Sequence, residues 1–266
     1  MSTAESIEDT RPGPEQGADE PFTLGVDIGG TNVKASVMDR QGGLVAEQVR
    51  TPTPKPATPK SVLRAIEDLA GRLPSFNRIS VGFPGVVKSG TTITAPNLGT
   101  EHWAGVKLID VLSRKFGVPV RVLNDAAVQG LGVVQGEGLE CVLTLGTGVG
   151  CALFRDRRLL LPLEIGQHRV RKGKTYDQYI GQAALVAKGP LAWNRRVAKA
   201  IGYVSELTVC DMLYVGGGNA RRITFALPKN VKTVSNTAGI TGGVRLWESS
   251  LDDLFRDEPL AQERQT

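Results

Sequence analysis

The stretch VDIGGTNVKASVMD, residues 26–39, decides the fold, because it reads as a strand, a glycine turn and a second strand. The stretch TLGTGVGCALFRD, residues 144–156, repeats it at the same spacing, with eleven residues from the first turn glycine to a closing aspartate in both copies. The repetition predicts two similar α/β lobes with a cleft between them.

The elements around the first copy follow from local patterns. The strands FTLGVDI, NVKASVM and GLVAEQVRT are predicted to form an antiparallel ribbon over residues 22–51. After the rigid connector TPTPKPATPK, the segment SVLRAIEDLAGRL has an apolar face and predicts a helix that begins at Ser61. Further on, VPVRVLNDAAVQGLG predicts a buried strand whose polar end, Asn124 and Asp125, begins a helix.

These patterns divide the chain into two lobes. We expect a first lobe over residues 22–124, completed by a helix at 243–256, and a second lobe over 125–242. Residues 1–21 are acidic and rich in Pro, Gly and Ala, which predicts a disordered leader. Residues 257–266 are expected to form a frayed tail.

The composition indicates a globular chain. With 266 residues and 41% hydrophobic content, it can bury a large core. No apolar run approaches the roughly 20 residues that span a bilayer, and no signal peptide is recognisable, so we expect a cytoplasmic protein without a membrane partner. The cysteines Cys141, Cys151 and Cys210 are widely spaced without a CxxC pair, which favours buried small side chains over a zinc site or a disulfide framework.

Positive charge is concentrated in one block. The formal net charge is +5, but residues 155–232 hold 15 Lys or Arg against 5 Asp or Glu, a net charge of +10. Such a block suits a polyanionic partner, and it is equally typical of an ordinary solvated basic face.

The two glycine turns are suited to bind an oxyanion. Glycine lets the backbone approach a ligand closely, so the turns at Gly29–Gly30 and Gly146–Gly148 can point N–H groups at phosphate oxygens, and Thr31 and Thr147 add hydroxyl donors. A single glycine turn often only connects two strands, whereas two matched turns favour a binding role. Neither turn is a Walker or Rossmann motif.

Charged residues flank the first turn and the junction between the lobes. Asp27 would repel a phosphate, so its predicted role is to hold Mg²⁺ or the water shell of that ion. Lys34 either neutralises charge or points outward. Asn124 and Asp125 are plausible as a plain helix cap, but a carboxylate at the floor of a cleft can also take the proton of a hydroxyl that attacks a phosphoryl group.

Seven ordered motifs resemble the ROK family of sugar kinases, which have the α/β, two-lobed actin-like ATPase (ribonuclease H-like) fold with a central cleft. They are VDIGGTNVKASVMD, FPGVV, TAPNLG, VLNDAAVQG, TLGTGVG, PLEIG and YVGGGN. The resemblance covers residues 22 to about 247. The Pro-rich connector, the extended FPGVVKSGTTITAPNLG segment and the short chain narrow it toward the polyphosphate glucokinase branch.

The resemblance implies a kinase that phosphorylates the 6-hydroxyl of glucose from inorganic polyphosphate or ATP, with Asp125 as the catalytic base. It implies sugar contacts from Asn97, Asn124 and Glu164. The implied phosphate-binding and nucleotide-side positions are Gly29, Gly30, Thr31, Gly146, Thr147, Gly148, Gly216, Gly217 and Gly218. Mg²⁺ as cofactor and a homodimer built on the second lobe complete the expectation.

The sequence departs from the family pattern at two places. Gln167 stands where the family usually has a histidine, and it can still donate to a sugar hydroxyl, whereas the neighbouring His168 is expected at the surface or in the core. The family's zinc ligands are absent, so we expect no zinc. Asp177 lies near the position of a second sugar-binding acid but about one residue out of register. Arg169, Arg171, Lys172 and Lys174 are expected to form a basic track at the cleft mouth.

Several alternatives stay open at this point. An ATP-dependent kinase for another hexose and a non-catalytic sugar-binding protein both fit the same motifs, since fold alone does not guarantee activity. A sugar-sensing repressor that binds nucleic acid is disfavoured, because only about 21 residues precede the first strand, too few for a helix-turn-helix.

Overall fold

A computed structural model of the protein describes residues 21–235 and 238–255. Almost all of the predicted leader, residues 1–21, and the whole predicted tail, residues 257–266, lie outside the described residues. No helix within the described ranges combines the length and apolar character needed to cross a membrane.

The first sheet has five strands and forms around the turn at Gly29–Gly30. Its strands lie in the order β3-β2-β1-β4-β7; β1, β2 and β3 pair antiparallel, and β4 and β7 add in parallel on the other side of β1. The bounds are β1 Thr23–Ile28, β2 Asn32–Met38, β3 Val49–Pro52, β4 Arg78–Phe83 and β7 Val120–Asn124, with a small hairpin of β5 Val87–Lys88 and β6 Thr91–Thr92.

The second sheet repeats this order as β10-β9-β8-β13-β14, again with three antiparallel strands followed by two parallel ones. The bounds are β8 Leu139–Leu145, β9 Val149–Arg155, β10 Arg158–Leu163, β13 Met212–Gly216 and β14 Val231–Thr233, with a separate hairpin of β11 Arg169–Arg171 and β12 Lys174–Thr175. The two quoted stretches occupy equivalent places in the two sheets, as the repeat predicts.

Helices cover the sheets and join them. They are α1 Pro59–Ala70, α2 Thr100–Trp103, α3 Leu108–Phe116, α4 Asp125–Leu131, α5 Tyr176–Ile180, α6 Gln182–Thr208 and α7 Ala238–Arg245, with 3-10 turns at Ile165–Gln167, Ala220–Arg222 and Ser249–Phe255. The predicted start of α1 at Ser61 was wrong by two residues, because the Thr58 side chain caps the helix by accepting a hydrogen bond from the Ser61 N–H and Pro59 fits the first turn.

The predicted third strand was too long. The continuous strand is limited to Val49–Pro52, and nearer the turn only an isolated bridge joins Leu44 to Met38 of β2. The Asp39 carboxylate accepts hydrogen bonds from the N–H groups of Gln41 and Gly43 and holds the chain there in a turn. Leu44 is 48% exposed, so little apolar burial supports a longer strand beyond this single bridge.

The end of the described chain returns to the first sheet. The predicted single helix at 243–256 was wrong in its bounds: α7 ends at Arg245, and a 3-10 turn follows at Ser249–Phe255. α7 packs against β1, β2 and β4. The Trp247 indole N–H donates to Ser80 Oγ at 2.8 Å, which fixes this segment to β4.

α4 is the element that places the site. It packs against β4 and β7 of the first sheet and against β8 and β9 of the second, within an apolar cluster distinct from the core of each sheet. A Cβ atom at Gly130 would lie 2.3 Å from the Phe154 ring, so only glycine permits this approach of helix to sheet. The N-terminus of α4 therefore lies at the junction of the two lobes.

Candidate active site

The two glycine turns face each other across a cleft of about 950 Å³ between the lobes. The hydroxyl oxygens of Thr31 and Thr147, one from each turn, lie 2.9 Å apart and form a hydrogen bond. A Cβ atom at Gly30 would lie 3.1 Å from Thr147 Cγ2. The turns that the sequence separates by more than a hundred residues thus form one continuous lining.

The second turn also contacts the side of the cleft where the sugar contacts are predicted. The Gly146 N–H donates to the Gly148 carbonyl at 2.9 Å, which closes the turn. A Cβ atom at Gly148 would lie 2.6 Å from Asn97 Nδ2 and 3.0 Å from Asp177 Oδ2. Glycine at this position therefore lets the turn, Asn97 and Asp177 share one surface.

Asp125 lies at the first position of α4 and lines the cleft. Its carboxylate accepts a hydrogen bond from the Ala126 N–H at 2.8 Å. Burial, together with the negative charges of Asp27 and Glu164, raises the pKa of Asp125 to about 7. Its carboxyl group can consequently exchange a proton near neutral pH.

Asn124 serves the fold and the site together. Its side-chain oxygen caps α4 by accepting hydrogen bonds from the N–H groups of Ala126 and Ala127, so the plain helix cap that the sequence allowed is present. Its amide nitrogen donates to the Gly85 carbonyl at 3.2 Å and to Glu164 Oε1 at 3.3 Å. Asn124 thereby holds Glu164 in the cleft.

Asp177, which the sequence places about one residue out of register with the family's second sugar-binding acid, lies in the cleft. It lines the cleft, accepts hydrogen bonds from the Val149 N–H at 2.7 Å and from Gln167 Nε2 at 2.8 Å, and so shares a network with one predicted sugar contact. Burial raises the pKa of Asp177, and burial followed by the charge of Asp177 raises the pKa of Glu164. The capping box of Thr175 and Gln178, visible in the sequence, is the signal that places Asp177 in the first turn of α5.

The contact between Asp27 and Lys34 shows whether Lys34 neutralises charge or points outward, which the sequence left open. The two residues lie opposite each other on β1 and β2, and Lys34 Nζ donates to Asp27 Oδ2 at 2.8 Å. Lys34 therefore points into the cleft and offsets part of its negative charge.

A third turn, at Gly217–Gly218, extends the lining on the predicted nucleotide side. Gly217 has φ +83°, and a Cβ atom there would lie 2.5 Å from the Leu145 carbonyl oxygen, so glycine is required. Asn219 ties this turn to the second by donating from its side chain to the Gly146 carbonyl at 3.2 Å. Gly216 differs from the prediction: it is the buried last residue of β13 and does not line the cleft.

The residues of the basic track predicted at the cleft mouth do not line the cleft itself, although their hairpin lies between the cleft-lining residues Gln167 and Asp177. Arg169, Arg171, Lys172 and Lys174 belong to the β11–β12 hairpin and do not line the cleft, and Arg171 donates instead to the Tyr203 hydroxyl at 2.8 Å. Arg50, Arg221 and Arg222 line the cleft in their place. Nothing in the local sequence marked these arginines, because β3 and the turn after β13 bring them together only in the folded chain.

The predicted site residues other than Gly216 all line this cleft. They are Asp27, Gly29, Gly30, Thr31, Lys34, Asn97, Asn124, Asp125, Gly146, Thr147, Gly148, Glu164, Gln167, Gly217 and Gly218. A family model for the ROK family matches residues 23–163, which is more than half of the chain. The chain belongs to the ROK family.

Named relatives are consistent with this membership. This ROK protein is 31% identical over 239 residues to a polyphosphate glucokinase from Mycobacterium leprae (strain TN), covering 82% of this chain and 72% of that protein. Its structure is similar to that of an inorganic polyphosphate/ATP-glucomannokinase from Arthrobacter sp. strain KM, with a TM-score of 0.78, 29% identity and coverage of 85% and 97% of the two chains.

A ROK family glucokinase from Streptomyces griseus, solved with glucose and AMPPNP, shares the fold at a TM-score of 0.71 and 20% identity, covering 85% of this chain and 98% of that one. The likeness to these structures confirms the predicted two-lobed, actin-like α/β fold. The predicted enzyme class, a kinase, is confirmed by the relatives as well.

Proposed function

We propose that this ROK protein transfers a phosphoryl group from inorganic polyphosphate to the 6-hydroxyl of glucose. The observation that carries the proposal is the position of Asp125, a carboxyl group with a pKa of about 7, on the cleft into which both glycine turns face. The named relatives act as polyphosphate glucokinase and polyphosphate/ATP-glucomannokinase.

The proposed chemistry follows from Asp125 as general base. Its carboxylate accepts the 6-hydroxyl proton while that oxygen forms a bond to the terminal phosphorus, and the bond from phosphorus to the bridging oxygen breaks in line. The bridging electron pair leaves with a polyphosphate chain one phosphate shorter. A pKa near 7 suits this task, because the carboxylate is available at neutral pH and is still basic enough to take a proton.

Glucose would lie against Asn97, Glu164, Gln167 and Asp177. Carboxylates and amides satisfy the paired donor and acceptor needs of sugar hydroxyls, and a site built for a hydroxyl disfavours a sugar that lacks it. Asn124 acts here through Glu164 as well as through the cap of α4, since its amide nitrogen reaches Glu164 Oε1 at 3.3 Å.

The donor would lie against the glycine turns. Gly30, Thr31, Thr147 and Gly148 line the cleft. Their backbone N–H groups and hydroxyls would supply the donors that developing negative charge needs. Lys34 adds a positive charge on the same side. The turns would orient the terminal phosphate toward the sugar oxygen, which excludes water as a competing acceptor once the lobes close.

Asp27 fits Mg²⁺ of the kind that a phosphate donor brings with it. Within the described residues no group of three His, Cys, Asp or Glu side chains is placed to hold a metal, so a site made of protein ligands alone is not formed there. Mg²⁺ commonly keeps several waters and uses one or two carboxylates plus substrate phosphates. When bound, the ion would neutralise charge on the donor, with Asp27 as its protein ligand, directly or through water.

Polyphosphate is the proposed donor because the lining of the cleft includes three arginines. Arg50, Arg221 and Arg222 line the same cleft as the glycine turns, and their guanidinium groups can pair with further phosphates of a chain. ATP carries three phosphates and meets the same turns, so we include it as a second donor. The preference for polyphosphate rests on the arginines.

The test is formation of glucose 6-phosphate from glucose and Mg²⁺, with nucleotide-free polyphosphate in one reaction and ATP in the other. Product from polyphosphate supports the proposal in full. Product from ATP alone contradicts the donor, product only with other hexoses contradicts the sugar, and product from no pair of substrates favours a non-catalytic sugar-binding ROK protein. Asp125→Asn serves as the inactive control.

We also propose that the protein is a homodimer through its second lobe. Val186, Leu191 and Leu207 of α6 are at least 68% exposed, which is unusual for large apolar side chains. Light scattering coupled to size-exclusion chromatography checks the mass, and a monomer at micromolar concentration would contradict the proposal.

A further inference from the structure

A second cavity lies at the end of α4 opposite Asp125. Its volume is about 320 Å³, at the lower end of the range for small-molecule sites. One wall is the turn between β9 and β10 of the second sheet, and the other is the end of α7 with the 3-10 turn that follows it. We name it the arginine cavity, and its lining residues, none of which lines the cleft, are Asp156, Arg157, Arg158, Arg245, Glu248 and Ser250.

The arginine cavity has an excess of positive charge. Three arginines against Asp156 and Glu248 leave its lining with a net charge of +1. Arg245 is already engaged, because it donates to Glu248 Oε1 at 2.7 Å and to the carbonyl at the last residue of α4 at 2.7 Å. Within the described ranges, neither Arg157 nor Arg158 takes part in an ion pair or a side-chain hydrogen bond. Two guanidinium groups therefore remain to pair with an anion from outside the chain.

The backbone at Arg157 is in a conformation that favours glycine. Asp156 and Arg157 form the two-residue loop between β9 and β10, with φ +50° and φ +65°. Such loops usually have glycine at the second position, and arginine there is unfavourable. A Cβ atom at Gly136 would lie 2.6 Å from Arg157 Cγ, so the glycine opposite makes room for the arginine stem. An arginine kept at a strained position and accommodated in this way indicates a use for its side chain beyond the fold.

We propose that the arginine cavity binds a phosphate group, either free or as the ester of a small phosphorylated molecule. Guanidinium groups pair with phosphate through forked hydrogen bonds, and Arg157 and Arg158 supply two of them. The Ser250 hydroxyl can add a donor from the opposite wall. A ligand held between these walls would contact the second lobe and the segment packed on the first, so its binding would stabilise their arrangement. The site is independent of the proposed function, because it needs neither the sugar nor the phosphoryl donor.

Arg157→Gly combined with Arg158→Ala tests the inference. The pair removes both available guanidinium groups, and glycine relieves the strain at position 157, so the Tm without phosphate should hold or rise. In calorimetry with inorganic phosphate, without Mg²⁺ or sugar, we expect one binding site of the wild-type protein to weaken at least about tenfold. The increase in Tm that phosphate gives the wild-type protein should shrink with it. Equal phosphate binding by this variant and the wild-type protein overturns the inference.

Arg169→Ala combined with Lys172→Gly is the matched control. It removes the same charge, and Lys172 has φ +52° in the turn between β11 and β12, so glycine relieves strain there as well. Neither residue lines the cleft or the arginine cavity. This control should bind phosphate like the wild-type protein, and an equal loss in both variants would mean that net charge alone attracts the anion.

Arg221→Ala combined with Arg222→Ala separates the arginine cavity from the cleft. This variant should keep the site that Arg157→Gly combined with Arg158→Ala loses. If only the cleft variant loses phosphate binding, the phosphate binds in the cleft and the inference is overturned.

Glucose 6-phosphate in place of inorganic phosphate identifies the source of the phosphate group. Tighter binding of the ester, lost with Arg157 and Arg158, supports a phosphorylated small molecule, whereas tighter binding of inorganic phosphate supports the free ion. Neither titration involves turnover. A protein that forms no product would therefore contradict the proposed function alone, and unchanged phosphate binding would contradict this inference alone.

Discussion

The ionisation of Asp125 affects both the stability of the protein and its proposed activity. Folding raises its pKa to about 7 because burial and the charges of Asp27 and Glu164 disfavour the carboxylate. A group whose pKa rises on folding stabilises the native state while it is protonated, and this contribution is lost as the pH rises through the folded pKa. The protein therefore loses stability as the pH rises from about 4 to about 7, and above pH 7 the carboxylate that the proposed catalysis requires is ionised at the full cost in stability.

Asp125→Asn separates the two effects. We expect kcat to fall by at least about a hundredfold, the usual worth of a general base. We expect the Tm to exceed that of the wild-type protein by a few degrees at pH 8 and by less at pH 5. The difference should vanish only below about pH 4, where Asp125 is protonated in the unfolded chain as well. Activity assays and thermal melts at the two pH values check both; retained turnover, or an equal Tm at pH 8, would count against the assigned role.

The same pKa predicts the pH dependence of the wild-type enzyme. Because the base must be ionised in the free enzyme, kcat/KM should rise between pH 5.5 and pH 8 with a midpoint near the pKa of about 7. A profile measured at saturating Mg²⁺ tests this. A midpoint near 4, the ordinary value for an aspartate, would mean that the pKa of Asp125 is not raised in the free enzyme.

At the scale of elements, the second glycine turn brings the donor side and the sugar side together. Gly148→Ala places a Cβ atom 2.6 Å from Asn97 Nδ2 and 3.0 Å from Asp177 Oδ2, so these two side chains must move. We predict that the KM for glucose rises about tenfold or more, with the fold intact by circular dichroism.

Gly202→Ala is the matched control for this substitution. Gly202 lies inside α6, and a Cβ atom there meets nothing within 4 Å. Alanine should stabilise the helix by about 0.5–1 kcal/mol and leave both KM values unchanged. An unchanged KM for glucose in Gly148→Ala would show that Asn97 and Asp177 do not need their present positions.

Elements with strong local signals could be predicted from the sequence. The strand and turn around Gly29, its repeat around Gly146, and the end of α3 at Gly117, where φ is +68°, follow from glycine conformation and alternating apolar residues. The third strand could not, because the turn held by Asp39 competes with strand pairing. The end of α7 at Arg245 could not be predicted either. It goes with the packing of Trp247 on β4, a contact with a residue far away in the sequence.

At the scale of the whole molecule, the candidate site includes residues that lie outside the sequence motifs. The motif residues could be predicted because the glycine turns and the start of α4 carry their own local signals. Arg50, Arg221 and Arg222 could not, because the fold places them in one cleft with residues far away in the chain. The basic block was identified correctly as a feature of composition. Its position relative to the cleft could not be predicted, because it depends on the order of the strands in the second sheet and on the β11–β12 hairpin.

This difference between composition and position gives a prediction for two of the arginines that line the cleft. Arg221→Ala combined with Arg222→Ala should raise the KM for long polyphosphate roughly tenfold or more and flatten its dependence on salt, because fewer ions pair with the chain. The KM for ATP should rise less, since ATP carries only three phosphates and can pair with fewer arginines. Arg169→Ala combined with Lys172→Ala removes the same charge from the β11–β12 hairpin, outside the cleft, and should leave every KM unchanged. Equal effects of the two pairs in steady-state assays across a salt series would mean that net charge attracts the donor and that the cleft arginines do not hold it.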